Sequence, residues 1–332
     1  MRAAIYTRYG PPESVLRIEQ AETPVPGEGE VLIAVRAAAV NPLDSHFMGG
    51  KPHIARLAFG LPRPKLTRPG VDVAGVVEAI GDKVTRFRPG DAVFGTCRGS
   101  FADFACTAEF ALAAKPAGLS FEQAAAIPIA GLTALQGLRD AGRIRAGEKV
   151  LITGAAGGIG TFAVQLAKAF GAEVTAVCGP SGLELVRSLG ADRAIDRSQE
   201  DFTRGGETWD LIFDLVQGRG FRASRRALAP EGRLVAAGIL SIGEPGFAAM
   251  AGWGGRVAAG MLTSRFGRRK LVFFVAKRKP EDLALLAGLA GAGKVTPVID
   301  RRYRLEEIAA AIRHVQEGRA HGKVIVTMEP ER

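Results

Sequence analysis

The stretch best equipped for chemistry begins at an apolar strand, Lys149–Thr153. It runs into a turn holding Gly154, Gly157, Gly158 and Gly160, and the turn opens an amphipathic helix over 159–170. Residues without a Cβ let the backbone approach a pyrophosphate, and the first helical N–H groups and the helix dipole then face the anion. A glycine motif alone says little. Here the strand, turn and helix, with a second strand over 173–177, supply the context that a dinucleotide site needs. The competing reading is a tight strand-to-helix turn with no ligand. Gly154, Ala156, Gly157, Gly158 and Ile159 are the candidate coenzyme contacts, with Val216 at the end of a later strand.

Which nicotinamide is bound depends on the end of the second strand. An NAD site usually places Asp or Glu there, on the ribose 2′-hydroxyl. This chain has Val177, Cys178, Gly179, Pro180, Ser181 and Gly182, with no acid. Nothing there repels a 2′-phosphate, and no Lys or Arg grips one. The Ser181 hydroxyl and the backbone N–H groups near Cys178 and Gly179, at a helix start, can hold a phosphate. The reading is NADPH, with NADH as the alternative.

A metal is not expected. Cys97, Cys106 and Cys178 are dispersed, with no CxxC pair, and His46, His53, His314 and His321 show no ligand spacing. A catalytic zinc needs about three protein ligands of suitable type. The same three cysteines form no even-numbered disulfide framework, which fits a reducing, cytoplasmic compartment.

The elements that must position these residues fall into two groups. At 332 residues, 47% hydrophobic and 23% charged, the chain is globular and too long for one small domain. That composition excludes a disordered chain, a collagen and a coiled coil. The first third reads as all-β, with short apolar runs over 3–7, 30–37, 71–80, 92–95 and 103–106 bounded by Pro and Gly turns. The segment 41–66 is long and rich in Gly and Pro, with one helical stretch near 43–48; such segments are commonly functional. From about 120 onward strands and helices alternate, which implies a parallel sheet covered by helices on both faces. Apolar runs are broken by Arg36, Pro128 and Gln136, so no membrane span is expected, and no export signal is read at the N-terminus.

The net charge is +10. An acid-free run from Arg256 to Lys279 reads as a solvated helix face followed by a buried strand over 271–275, or else as a basic amphipathic surface for an acidic membrane or nucleic acid. No RNA-binding signature accompanies it, so nucleic acid is not an expected partner.

Taken together, the motifs resemble the medium-chain dehydrogenase/reductase superfamily, in its zinc-free quinone oxidoreductase branch. The resemblance covers almost the whole chain. It rests on Asn41-Pro42-Leu43-Asp44, Gly70-Val71-Asp72-Val73-Ala74-Gly75, Arg88-Pro89-Gly90-Asp91, Gly131-Leu132-Thr133-Ala134, the Gly154 to Gly160 turn, Gly190-Ala191-Asp192 and His321-Gly322-Lys323-Val324. It implies an α/β protein: a Rossmann doubly wound parallel sheet over 123–296 and a GroES-like β-barrel catalytic domain over 1–122, completed by 297–332, with the active site in the cleft between them. Zinc-dependent relatives carry an early Cys and a Gly-His-Glu triplet as ligands; this chain has Val40-Asn41 and Gly70-Val71-Asp72 there.

The resemblance further implies NADPH-dependent reduction of a quinone or an α,β-unsaturated carbonyl, acceptors that delocalise the incoming charge themselves. Asn41 and Thr133 would lie beside the nicotinamide and its ribose, with backbone contacts from Gly238 and Ile239. Asp44 would organise the Asn41 loop, although an Asx-type turn at a helix start explains both residues too. Lys323 would reach the coenzyme, unless it is a surface charge. His46 stands where relatives often carry Tyr, so it is either the proton donor or a cleft-lining residue with protons drawn from water. Phe47, Phe273 and Phe274 either wall the substrate pocket or pack in a core. The basic residue that relatives commonly place near Ser181 is missing, and Ile195-Asp196-Arg197 replaces a frequent Ile-Asp-Tyr. Arg197 either grips the 2′-phosphate from the neighbouring strand or faces solvent. A homodimer is expected. The alternatives are a zinc-free NADP-dependent alcohol dehydrogenase and an NADPH-binding module with nucleic-acid affinity.

Overall fold

The computed structural model describes residues 1–50, 56, 60–216, 218–237 and 268–328. Contacts divide the chain into two units: Met1–Leu132 with Lys277–Arg332, and Thr133–Ala276.

In the first unit, β1 (Arg2–Ile5), α1 (Pro12–Val15) and β2 (Arg17–Gln20) form an antiparallel ribbon. The long strand β3 (Glu30–Val40) leads into α2 (Pro42–Gly49). After it come β4 (Asp72–Ile80), β5 (Ala92–Thr96), β6 (Phe104–Ala108), β7 (Leu112–Ala114) and α3 (Phe121–Ala125). Strand β3 pairs with β4 along its length, and its first half also pairs with β6. One strand pairing with different neighbours along its length is how a sheet rolls toward a barrel. The side chains of Val31, Ile33, Val35, Val73, Val93, Phe101 and Leu112 fill the interior, each apolar side chain contributing about 1.5–3 kcal/mol on burial.

The boundary to the second unit falls within α4 (Pro128–Gln136), which ends in a π-helical turn over Gly137–Ala141. Six strands follow: β8 (Lys149–Thr153), β9 (Glu173–Cys178), β10 (Arg193–Asp196), β11 (Trp209–Asp214), β12 (Leu228–Ala237) and β13 (Lys270–Phe274). Helices α5 (Gly158–Ala169), α6 (Leu183–Ser188) and α7 (Phe221–Arg226) connect them. All pairings are parallel, in the order β10-β9-β8-β11-β12-β13. The chain moves one way from β8 and then returns to start again at β11. Right-handed crossovers then put the two sets of helices on opposite faces. The central strands β8, β9 and β11 read as largely apolar runs because both faces are covered.

The chain returns to the first unit with α8 (Pro280–Gly291), β14 (Ile299–Arg304), α9 (Ile308–Gln316) and β15 (Lys323–Thr327). Strand β15 pairs with the second half of β3, and β14 lies outside it as the edge. Gly131 has Leu286 of α8 against it; a Cβ there would lie 3.1 Å from a Leu286 methyl. The contact division of the chain falls at 132 and 277, so α8 lies with the first unit. Residues 256–267 of the basic run, and with them Gly238 and Ile239, lie outside the described residues. No described helix is long and apolar enough to cross a membrane.

Candidate active site

In the second unit the glycine-rich turn leaves β8 at the point where the strand order reverses, the place where open α/β sheets bind ligands. Gly154 has φ +63°, and a Cβ on it would lie 2.8 Å from Val216. A Cβ on Gly160 would lie 2.2 Å from the Gly154 carbonyl oxygen, so only glycine lets the helix pack this close to the turn. The helical ladder starts where Thr161 N–H donates to Gly157 O at 3.0 Å. The N–H groups of Gly158, Ile159 and Gly160 therefore belong to the open first turn of a 12-residue helix, and that turn carries no acid. Ala155 and Ala156 are buried beneath it. Thr153, at the end of β8, donates its hydroxyl to Asp214 Oδ1 at 2.6 Å and accepts Leu215 N–H at 3.0 Å, which clamps β8 to β11 at the crevice floor. These residues fit a dinucleotide pyrophosphate.

The end of β9 adjoins the same turn. Ala156 lies 2.6 Å from where a Cβ on Gly182 would stand. Cys178 is buried, and burial pushes its thiol above the ordinary range, so it is no ready nucleophile. Arg197 follows β10, is exposed, and donates its backbone N–H to Cys178 O at 2.9 Å. Its guanidinium lies about 4 Å from the Cβ position of Gly179. Ser181 is exposed two residues further on. Neighbouring Asp196 spends Oδ1 on Ser198, from both N–H (2.9 Å) and hydroxyl (2.7 Å). A cation is thus presented beside the loop at the end of the second strand.

In the first unit a second constellation is wholly buried: Asn41 is 4% exposed, Asp44 1%, Asp72 0% and Lys323 3%. Asn41 caps α2 from an extended backbone conformation, and Asp44 Oδ2 accepts its N–H at 2.8 Å, one arm of a capping box. Asp44 Oδ1 accepts Gly70 N–H at 3.1 Å. Asn41 Nδ2 donates to Asp72 Oδ2 at 2.9 Å and to Ala39 O at 3.2 Å. Lys323 Nζ donates to Asn41 Oδ1 at 2.7 Å and lies 3.2 Å from Asp72 Oδ2. Asp72 Oδ1 accepts Ile129 N–H at 2.9 Å. Burial pushes the Asp44 carboxyl up to about 7, against the opposing pull of its N–H donors and Lys323.

His46 lies one turn into α2 and is half-buried, with Nδ1 2.6 Å from Pro42 O. A carbonyl only accepts, so Nδ1 carries the hydrogen, and Nε2 is the nitrogen that can take and deliver another proton. Thr133 is buried in α4, and Phe47 is half-buried in α2. Phe274 packs on Phe213, ring centroids 6.4 Å apart, and Phe273 packs beside the apolar cluster of the sheet, so both serve the core of the second unit.

The structure therefore gathers the candidates in two places. Gly154, Ala156, Gly157, Cys178, Gly179, Arg197 and Val216 surround one loop system. Asn41, Asp44 and Lys323 form one hydrogen-bonded network, with His46 on the helix it caps. Asp72, central to that network, carries no role in the sequence reading. Its signal was an acid between Val71 and Val73 at the start of an apolar stretch that runs to Val77. The Thr153 and Asp214 clamp was missed as well.

Comparison with known proteins places the chain in a family. Residues 27–135 match the family model described as an alcohol dehydrogenase GroES-like domain, and 189–326 the one described as a zinc-binding dehydrogenase. The chain is 36% identical over 341 residues to a 2-methylene-furan-3-one reductase of Solanum lycopersicum, covering 98% of this chain and 79% of the relative. It is 33% identical to a chloroplastic NADPH-dependent alkenal/one oxidoreductase of Arabidopsis thaliana, over 98% of this chain and 79% of the relative. Among solved structures, the quinone oxidoreductase from Coxiella burnetii superposes with a TM-score of 0.86 at 29% identity, over 99% of both chains.

The zinc named in one of those descriptions does not fit the residues present. Both Asp72 oxygens already accept from N–H donors, and the Lys323 ammonium sits beside them, where a second cation would be repelled. Among the described residues, no three His, Cys, Asp or Glu side chains are grouped to hold a metal.

Proposed function

Since the chain belongs to the quinone oxidoreductase branch of the medium-chain dehydrogenase/reductase superfamily, we propose that it reduces a quinone or the activated C=C bond of an α,β-unsaturated carbonyl with NADPH, and without zinc. The observation that carries the zinc-free part is the buried Lys323 and Asp72 pair, a fixed cation beside Asn41 where zinc-dependent relatives hold their metal. Such an acceptor spreads incoming negative charge over its own conjugated system, so it needs no Lewis acid to become reducible.

When bound, NADPH supplies the hydride. The open N–H groups at the start of α5 hold the pyrophosphate, and the Gly154 to Gly160 turn lets it approach. Arg197 grips the 2′-phosphate, helped by Ser181 and the backbone near Gly179. Asn41, Thr133 and Lys323 serve the nicotinamide side, with Gly238 and Ile239 as backbone contacts, and Val216 closes the turn. Asp44 caps α2 and keeps Asn41 in place. His46 Nε2 delivers the proton that the reduced quinone or enolate oxygen requires, while Nδ1 stays engaged with Pro42.

A homodimer and a cytoplasmic location belong to the same proposal; the free thiols of Cys97, Cys106 and Cys178 support a reducing compartment. The test is a panel of quinones and enones assayed with NADPH and NADH side by side, together with elemental analysis. Reduction that prefers NADPH in metal-free protein is expected. Oxidation of simple alcohols with NADP⁺ and no action on quinones or enones would replace this reading with an alcohol dehydrogenase.

A further inference from the structure

The buried network fixes the chemistry that Asn41 can offer. Lys323 Nζ only donates, so the amide oxygen of Asn41 must face it, at 2.7 Å. The Asp72 carboxylate only accepts, so Nδ2 faces that, at 2.9 Å, and its second hydrogen goes to Ala39 O at 3.2 Å. Both amide hydrogens are spent. One lone pair on Oδ1 is left, so Asn41 can accept a hydrogen bond from a hydroxyl and has none to give.

Asp72 ties this amide to two helices. Its Oδ1 accepts the N–H of Ile129, in the first turn of α4, which carries Thr133. Gly70, two residues before it, donates to Asp44, which caps α2 and thereby sets His46. The partners come from sequence positions 251 and 282 residues apart. A buried ion pair is a weak source of stability, since its desolvation cost offsets most of the attraction. Its geometric effect is strong, because every polar atom in it has one acceptable orientation.

We infer that Asp72 and Lys323 are positioning residues: their pair holds Asn41 as an acceptor for a coenzyme hydroxyl and keeps α2 and α4 in register with it. This rests on the coenzyme reading above. It separates the roles of the pair from mere stability, and it gives Lys323 a task inside the fold.

The test uses the full chain with both charges removed together, Asp72→Asn with Lys323→Met, a pair that leaves no unpaired buried ion. The melting temperature should stay within about 5 °C of wild type. NADPH affinity, read by coenzyme fluorescence, and kcat with p-benzoquinone should each fall about tenfold or more, the equivalent of one lost hydrogen bond to the coenzyme and its alignment. His46→Ala added to this background should cost much less than in wild type, because the helix it rides is already misplaced. An unchanged melting temperature with affinity and kcat both within about twofold of wild type would overturn the inference. If the neutral pair does not fold, Lys323→Arg and Lys323→Gln decide. Arg keeps the cation and should retain NADPH affinity, whereas Gln should lose it; equal, wild-type affinities in both would overturn the inference. Wild-type protein that binds no NADPH would instead remove the coenzyme reading itself.

Discussion

Arg197→Ala is the sharpest probe of coenzyme choice. The loop after β9 carries no acid to repel a 2′-phosphate, and the Arg197 guanidinium hangs about 4 Å from the Cβ position of Gly179. Its neighbour Asp196 spends Oδ1 on Ser198, though its charge still attracts the guanidinium. A hydrogen bond to a charged group contributes about 1.5–3 kcal/mol. Arg197 is exposed, and water screens such an interaction toward the lower end of that range. The lower end, about 1.5 kcal/mol, is roughly a tenfold change in dissociation constant. NADPH binding should therefore weaken about tenfold in Arg197→Ala, while NADH binding, with no 2′-phosphate to lose, stays where it was. Fluorescence titration of both coenzymes against both proteins reads this directly. An unchanged NADPH to NADH ratio would refute the argument and return Arg197 to solvent.

Four further outcomes follow from the geometry. Gly160→Ala pushes a Cβ to 2.2 Å from Gly154 O, so the turn must open; we expect about 1–3 kcal/mol of lost stability and weaker NADPH binding, and an unmoved urea midpoint would contradict the close packing. His46→Ala should lower kcat by more than about tenfold with little change in NADPH affinity, whereas near-wild-type turnover would assign the proton to water. Asp44, raised from 3.8 to about 7, keeps its proton in the folded state where the unfolded chain has lost it, so stability declines as pH rises from about 4 to about 7 and then levels. Asp44→Asn cannot titrate, so its stability relative to wild type should improve across that window; a constant difference would remove Asp44 as the source. Arg233 binds Glu148 at 3.0 Å and the carbonyls of Asp210 and Arg143, and both side chains of the pair are 16% exposed; Arg233→Ala should cost about 2 kcal/mol in urea unfolding, and a loss near zero would make the cluster ornamental.

The second unit was the more legible in sequence because its strands are buried on both faces. Lys149–Thr153 is apolar between its two end residues and forms a strand with the expected ends. Strands with one exposed side were not visible. Ile299–Arg304, with three Arg and one Asp among six residues, shows no apolar run, but as the edge strand beside β15 it needs only one row of hydrogen bonds. Arg17–Gln20 and the three-residue Leu112–Ala114 were hidden in the same way. Strand β3 continues to Val40, past the expected end at 37, because pairing on both sides overrides the weak strand preference of Ala37, Ala38 and Ala39. The glycine-rich turn could be read from a local pattern. The Asn41, Asp72 and Lys323 network could not, since no short spacing links residues so far apart in the chain, and only the barrel brings them together.

The most direct measurement follows the hydride itself. NADPH deuterated at the transferable position is incubated with an enone and with enzyme whose zinc content has been measured. The account predicts deuterium at the β-carbon of the saturated product, by mass spectrometry, with zinc far below one equivalent and turnover indifferent to chelator. Product without deuterium, or turnover that disappears with the removal of stoichiometric zinc, would contradict it.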